Sequence, residues 1–231
     1  MAGTEELMGG FVVGILRDPA GNREVRELME NERMARKENA LLRSGPPVVL
    51  SASEREALND WNWSLCIAAV DLASGRYAGY MSAHRIVTRG RGTKIEVEEV
   101  VSHPEFDGRG VGKAIMTVAL QEGRGRWGAQ KATLTSRANR IAARGLYSVF
   151  GFEEQGEGPF VLKFGSGYWR PPEAARPRLW SGVDREEHGA FWHMGRDMQY
   201  AVSDICAGSR ASMTPWTIIE PIGVYKYKDA P

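Results

Sequence analysis

Apolar and polar positions along this chain repeat with two periods, and their succession sets out the elements. Phe11 to Arg17 reads as a first strand, and Asp18-Pro19-Ala20-Gly21 turns the chain. Arg23 to Leu42 is rich in Glu, Arg, Met, Ala and Leu, with Val25, Leu28 and Met29 at helical spacing. It reads as one helix or two short ones, broken by Ser44-Gly45-Pro46-Pro47. Ser51-Ala52-Ser53-Glu54 has the form of a capping box ahead of a short helix to about Trp61. Ser64 to Asp71 and Tyr77 to His84 read as a hairpin turned by Ala73-Ser74-Gly75-Arg76. Lys94 to Ser102 is alternating and β-branched, a strand that Pro104 ends. Gly110 to Arg126 reads as a helix with Val111, Ala114, Ile115, Val118 and Ala119 inward. A strand at Lys131–Thr135, a helix at 138–150 and a closing strand at Phe160–Phe164 follow. The order β-α-α-β-β-β-α-β-α-β predicts a mixed sheet with helices on both faces, an α+β or α/β arrangement.

Residues 166–231 have a different texture. Tyr168-Trp169-Arg170-Pro171-Pro172 opens a linker-like stretch to about Pro177. Asp184-Arg185-Glu186-Glu187 is a second capping-box candidate. Phe191, Met194, Met198, Ala201, Val202 and Ile205 then mark one apolar helix face. Core docking is the first expectation for that face; a substrate wall or a homodimer contact is the functional one. Residues 214–228 can form an added strand.

The chemistry starts at Phe106-Asp107-Gly108-Arg109-Gly110-Val111-Gly112-Lys113-Ala114, between a strand and a helix. Three glycines at every second position leave backbone N–H groups unshielded, and the helix adds the positive end of its macrodipole. That combination suits a phosphate or pyrophosphate. A P-loop reading fails twice: Asp107 stands where the first glycine belongs, and Ala114 where a hydroxyl belongs. The spacing G-x-G-x-G also misses the dinucleotide fingerprint, and no βαβ unit surrounds it.

Two segments carry a family resemblance. The strand, Ser102-His103-Pro104-Glu105-Phe106 and the glycine run resemble the acyl-CoA loop of the GNAT acetyltransferases, [Q/R]-x-x-G-x-[G/A], with Asp107 in place of Gln or Arg. Ala143-Arg144-Gly145-Leu146-Tyr147-Ser148-Val149-Phe150-Gly151-Phe152 resembles the family's second signature. The resemblance covers roughly residues 11–165, taken as a catalytic domain of 1–165 with an extension of 166–231. It implies a GNAT fold whose central strands, 94–102 and 131–135, splay to admit the pantetheine arm of acetyl-CoA. It also implies acetyl transfer to a primary amine by direct attack in a ternary complex. Two alternatives stay open: a binding or interaction protein with weakened catalysis, motivated by Asp107, and transfer of a longer acyl group.

The resemblance distributes roles. Backbone amides of Gly108, Arg109, Gly110, Val111, Gly112 and Lys113 would anchor the pyrophosphate. The Val100 amide falls where the family polarises the thioester carbonyl. The strand end through Val101 and Ser102 would supply backbone bonds to pantetheine. Asn139 and Arg140 fall near the family's cofactor-contacting Asn. Tyr147 would protonate the leaving thiolate, as a phenol can near neutral pH. Glu96 and Glu98 are the candidate bases; two apart on a strand, they are expected on one face, with Glu99 on the other. His103 is expected in solvent. Trp61, Trp63, Tyr77 and Tyr80 can line the acceptor side or pack the core.

Composition narrows the classes. A net charge of +1 gives no global field for nucleic acid or an anionic membrane, so nucleic acid is disfavoured as a partner. Hydrophobic content of 42% and charged content of 26% are ordinary for a globular chain. Two cysteines, Cys66 and Cys206, suit a reducing cytoplasm, and neither falls in a motif that would support a ping-pong route. No metal-ligand spacing, signal peptide or membrane span is read, and the expected acceptor is a small molecule or protein bearing an amine.

Overall fold

Among the described residues eight strands share one sheet. The computed structural model describes residues 9–16, 64–90, 92–155, 159–166, 169–178 and 219–228. The strands are β1 (Gly10–Leu16), β2 (Ser64–Asp71), β3 (Tyr77–Thr88), β4 (Gly92–Ser102), β5 (Lys131–Thr135), β6 (Glu153–Glu154), β7 (Pro159–Lys163) and β8 (Ile219–Lys226), in the spatial order β6-β7-β5-β4-β3-β2-β1-β8. Helix α1 is Val111–Trp127 and α2 is Ile141–Val149, with single 3-10 turns at Pro104–Phe106 and Glu173–Ala175. The helices expected within 23–61 and 184–205, with Trp61, Trp63 and Cys206, lie outside the described residues.

Neighbouring strands are antiparallel except β4 and β5, which are parallel. A parallel pair needs a crossover, and α1 supplies it. Its apolar stripe packs Val111, Ala114, Ile115, Val118 and Ala119 into the core with Ile67, Met81, Ile95 and Val97. Close approach is set by two glycines. A Cβ on Gly79 would stand 2.7 Å from Val111 Cγ1 and 3.1 Å from the Val101 carbonyl. One on Gly123 would stand 2.6 Å from Ile95 Cδ1. Helix and sheet therefore touch through hydrogen atoms at both ends of α1.

The central strands part as expected. β4 pairs with β5 from Lys94↔Lys131 to Val97↔Leu134 and no further among the described residues, although β4 runs on to Ser102. The cause lies on the other edge of β4. Ala83 opposes Val97 and Ser82 opposes Glu99, so Glu98 is an extra residue, a β-bulge. A bulge bends and twists the strand that carries it, here at the point where β5 is left behind.

The bulge also corrects the face assignment. Strict alternation put Glu99 opposite Glu96. Glu96 opposes His84 and Glu99 opposes Ser82, and those β3 residues are two apart, so Glu96 and Glu99 share a face. One helix bound differs for a local reason. The second helix begins at Ile141 rather than 138, because Arg140 bonds back to Arg137 O and has non-helical φ −87°, ψ 66°. The strand expected within 214–228 is β8, and it adds antiparallel to β1.

Candidate functional site

The glycine run forms a tight turn onto the start of α1. His103 Nδ1 accepts from the Glu105 amide at 3.3 Å and caps the 3-10 turn of Pro104–Phe106, with the ring half-buried. Gly108 and Gly110 have φ of 74° and 92°, left-handed values that a side chain disfavours. The first i→i−4 bond of the helix is Ala114 N–H to Gly110 O, 3.2 Å. The amides of Val111, Gly112 and Lys113 precede it and have no acceptor within the helix. They point with the positive end of the macrodipole.

Gly112 and Lys113, with Gly108 and Gly110 before them, border a cavity of about 730 Å³. Val100 and Ser102, on the parted end of β4, form one side, and Ala143, Leu146 and Tyr147 of α2 the other. Gly112 lies between: a Cβ there would stand 3.3 Å from Leu146 Cδ2 and 3.8 Å from Ser102 Oγ. Tyr147 is almost fully buried, with its ring against Phe152 and Phe160 at centroid distances of 6.1 and 5.8 Å. The phenol is thus held in one orientation at the cavity wall.

Eight of the expected residues come together here: Val100, Ser102, Gly108, Arg109, Gly110, Gly112, Lys113 and Tyr147. Others do not line the cavity. Val101 opposes the buried Tyr80 on the far face of the sheet. Val111 is buried in the core. Asn139 and Arg140 precede α2, outside the lining. Glu96 pairs with Lys94, and Glu98 Oε2 lies 3.0 Å from His84 Nε2. Glu99 sits by a buried group: Tyr80 donates to Cys66 Sγ at 3.4 Å, and burial pushes the Cys66 thiol up to about 11, opposed by that bond and reinforced by Glu99 and Glu98. Tyr77 is equally buried. Asp107 lines the cavity, and partial burial raises its carboxyl above the usual range against the pull of His103.

Arg176, Pro177, Arg178, Lys226 and Lys228 also line the cavity, and the sequence reading missed them. Their signal was present as two basic-x-basic tripeptides, Arg176-Pro177-Arg178 and Lys226-Tyr227-Lys228. Only the fold brings them to the glycine turn, 63 and more residues away in sequence from Lys113.

A sequence model of the acetyltransferase (GNAT) family matches residues 35–152. No curated protein sequence matches the chain. Among solved structures it is similar to a tetramutant of the BH1408 protein from Bacillus halodurans, at 15% identity and TM-score 0.51, over 63% of this chain and 96% of that one. It is also similar to the NatC complex bound to Gag peptide and CoA, at 19% identity and TM-score 0.48, over 67% and 99%. A third is Arabidopsis thaliana NAA60 in complex with a bisubstrate analogue, at 15% identity and TM-score 0.47, over 61% and 95%. The likeness to BH1408 is one of fold.

Proposed function

The chain belongs to the acetyltransferase (GNAT) family and is an acyltransferase, and on that premise we propose that it moves an acetyl group from acetyl-CoA to a primary amine in a ternary complex. One observation carries this reading: the parted end of β4, the α1 amides and Tyr147 border a single cavity. The residues fit the carrier. A side chain at Gly112 would narrow the space between Ser102 and Leu146. Of the expected amides, those of Gly108, Gly110, Gly112 and Lys113 would hold the diphosphate, because the Arg109 amide donates to Phe106 O at 3.3 Å and Val111 lies outside the cavity lining; the Val100–Ser102 backbone would hold the arm. The carrier supplies an acyl group on a good leaving thiol.

The chain's own groups move two protons. Attack forms a C–N bond and breaks a C–S bond. Tyr147 gives its proton to the departing sulfur. The amine's proton goes to a carboxylate on the opposite face, Glu96 or Glu98, directly or through water; Glu99, which the bulge brings to that face, joins them as a candidate. Direct transfer is favoured over an acyl-cysteine because the Cys66 thiol is buried and raised to about 11, which leaves little thiolate near neutrality. Residues 1–165 would be the catalytic domain and 166–231 its extension. The acceptor would be a small or protein-borne amine, and the cysteine usage supports a cytoplasmic setting. Calorimetric titration with acetyl-CoA tests the reading. Micromolar binding is expected; no binding at sub-millimolar carrier would overturn it and leave a fold kept for interaction, with Asp107 the reason.

A further inference from the structure

Six cations line the cavity: Arg109 and Lys113 on the glycine turn, Arg176 and Arg178 on the strap of residues 171–178, and Lys226 and Lys228 at the end of β8. The two on the turn each have a partner, and on the strap Arg176 Nε donates to the Pro171 carbonyl at 3.4 Å. The Arg109 guanidinium lies over the rings of Phe106 and Tyr227, 5.8 and 5.5 Å from their centroids. Lys113 Nζ donates to the Ala174 carbonyl at 2.6 Å. Neither is aimed at relieving Asp107. The other four belong to the C-terminal extension, and the backbone fixes where they sit. Lys226 N–H donates to Arg178 O at 2.8 Å, and Lys228 N–H to Arg109 O at 2.9 Å. Between them Tyr227 Oη donates to Asp71 Oδ1 at 2.8 Å. Turn, strap and β8 thus close into a ring, with the extension's charges on its rim.

That arrangement exceeds what a diphosphate requires. The amides of the turn already answer one diphosphate. Four further cations, two of them guanidinium forks, suit a separate phosphate carrying between one and two negative charges near neutrality. Resting on the acyl-CoA reading above, we infer that Arg176, Arg178, Lys226 and Lys228 form a second anion subsite that takes the ribose phosphomonoester of the carrier. The extension thereby makes the enzyme selective for CoA over carriers that have the diphosphate and the arm but lack that phosphate.

Isothermal titration of the full chain with CoA and with dephospho-CoA tests this. CoA is expected to bind at least about tenfold tighter. In an Arg176→Ala/Lys228→Ala double variant the preference should fall to about twofold or less, with dephospho-CoA affinity changed less than CoA affinity; its measurable binding doubles as the check on folding. Equal affinities in the natural chain, or an undiminished preference in the variant, would overturn the subsite alone. Binding of neither carrier by the natural chain would overturn the acyl-CoA reading, and the subsite with it.

Discussion

Three side chains show how a residue's surroundings decide its chemistry. Tyr147 was visible in the sequence by its motif, but its fixed orientation comes from Phe152 and Phe160, residues on a turn and on β7. Tyr147→Phe keeps those ring contacts and removes only the hydroxyl. Turnover should drop at least ~100-fold with acetyl-CoA affinity unchanged, measured by steady-state kinetics beside calorimetry; unchanged turnover would remove Tyr147 as the acid. Glu99 was misassigned because alternation is a local rule, and a bulge is decided by the pairing of two strands. Cys66 gives the pH prediction. Its folded value of about 11 lies above the ordinary 9.0, so the unfolded chain releases the proton first. Its contribution to stability is therefore intact below pH 9, is lost as pH rises from 9 to 11, and is constant beyond. A shift of that size amounts to about 2–3 kcal/mol. Urea denaturation at pH 8 and pH 10.5 should show a smaller alkaline loss in Cys66→Ala than in the natural chain.

Helix α1 belongs both to the core and to the glycine turn, and its two close glycine contacts separate the two. Gly123 meets Ile95 near the far end, so Gly123→Ala should cost about 1–3 kcal/mol in urea denaturation and leave acetyl-CoA affinity intact. Relief by an added Ile95→Val would identify the clash. Gly79 meets Val111, the residue after the helix cap, and the Val101 carbonyl, which cannot rotate away. Gly79→Ala should therefore lower both stability and carrier affinity, because α1 is pushed off the sheet where its amides border the cavity. Equal effects of the two variants on affinity would mean that the turn is not held by this contact. The inward face of α1 and the strand bounds of β2 and β5 were legible because amphipathic period and branching are local properties. The two-residue β6 was not, since pairing with β7 rather than any pattern of its own makes Glu153–Glu154 a strand.

At the scale of the whole molecule, β8 covers one edge of the sheet along the whole of β1. Phe11 stacks on Tyr225 and meets Tyr227 at a tilt, and Tyr227 stacks on Phe106, so β8 and the residue after it pack toward the glycine turn. A chain lacking residues 219–231 would leave β1, buried throughout, as an open apolar edge. Size-exclusion chromatography of it should show self-association where the full chain keeps its native elution; a monodisperse truncated chain of unchanged size would show that β8 is dispensable to the sheet. By itself the sequence determined the mixed-sheet class, the order of the described elements apart from β6, the glycine turn, and the pairing of that turn with Tyr147 into one family signature. Periodicity, turn residues and short motifs are encoded within a few neighbouring positions, so they can be read there. The tertiary structure alone decided the bulge that parts β4 from β5 and moves Glu99, and the arrival of Arg176, Arg178, Lys226 and Lys228 at the cavity. Both depend on pairings between residues far apart in the chain, whose energies no local pattern records.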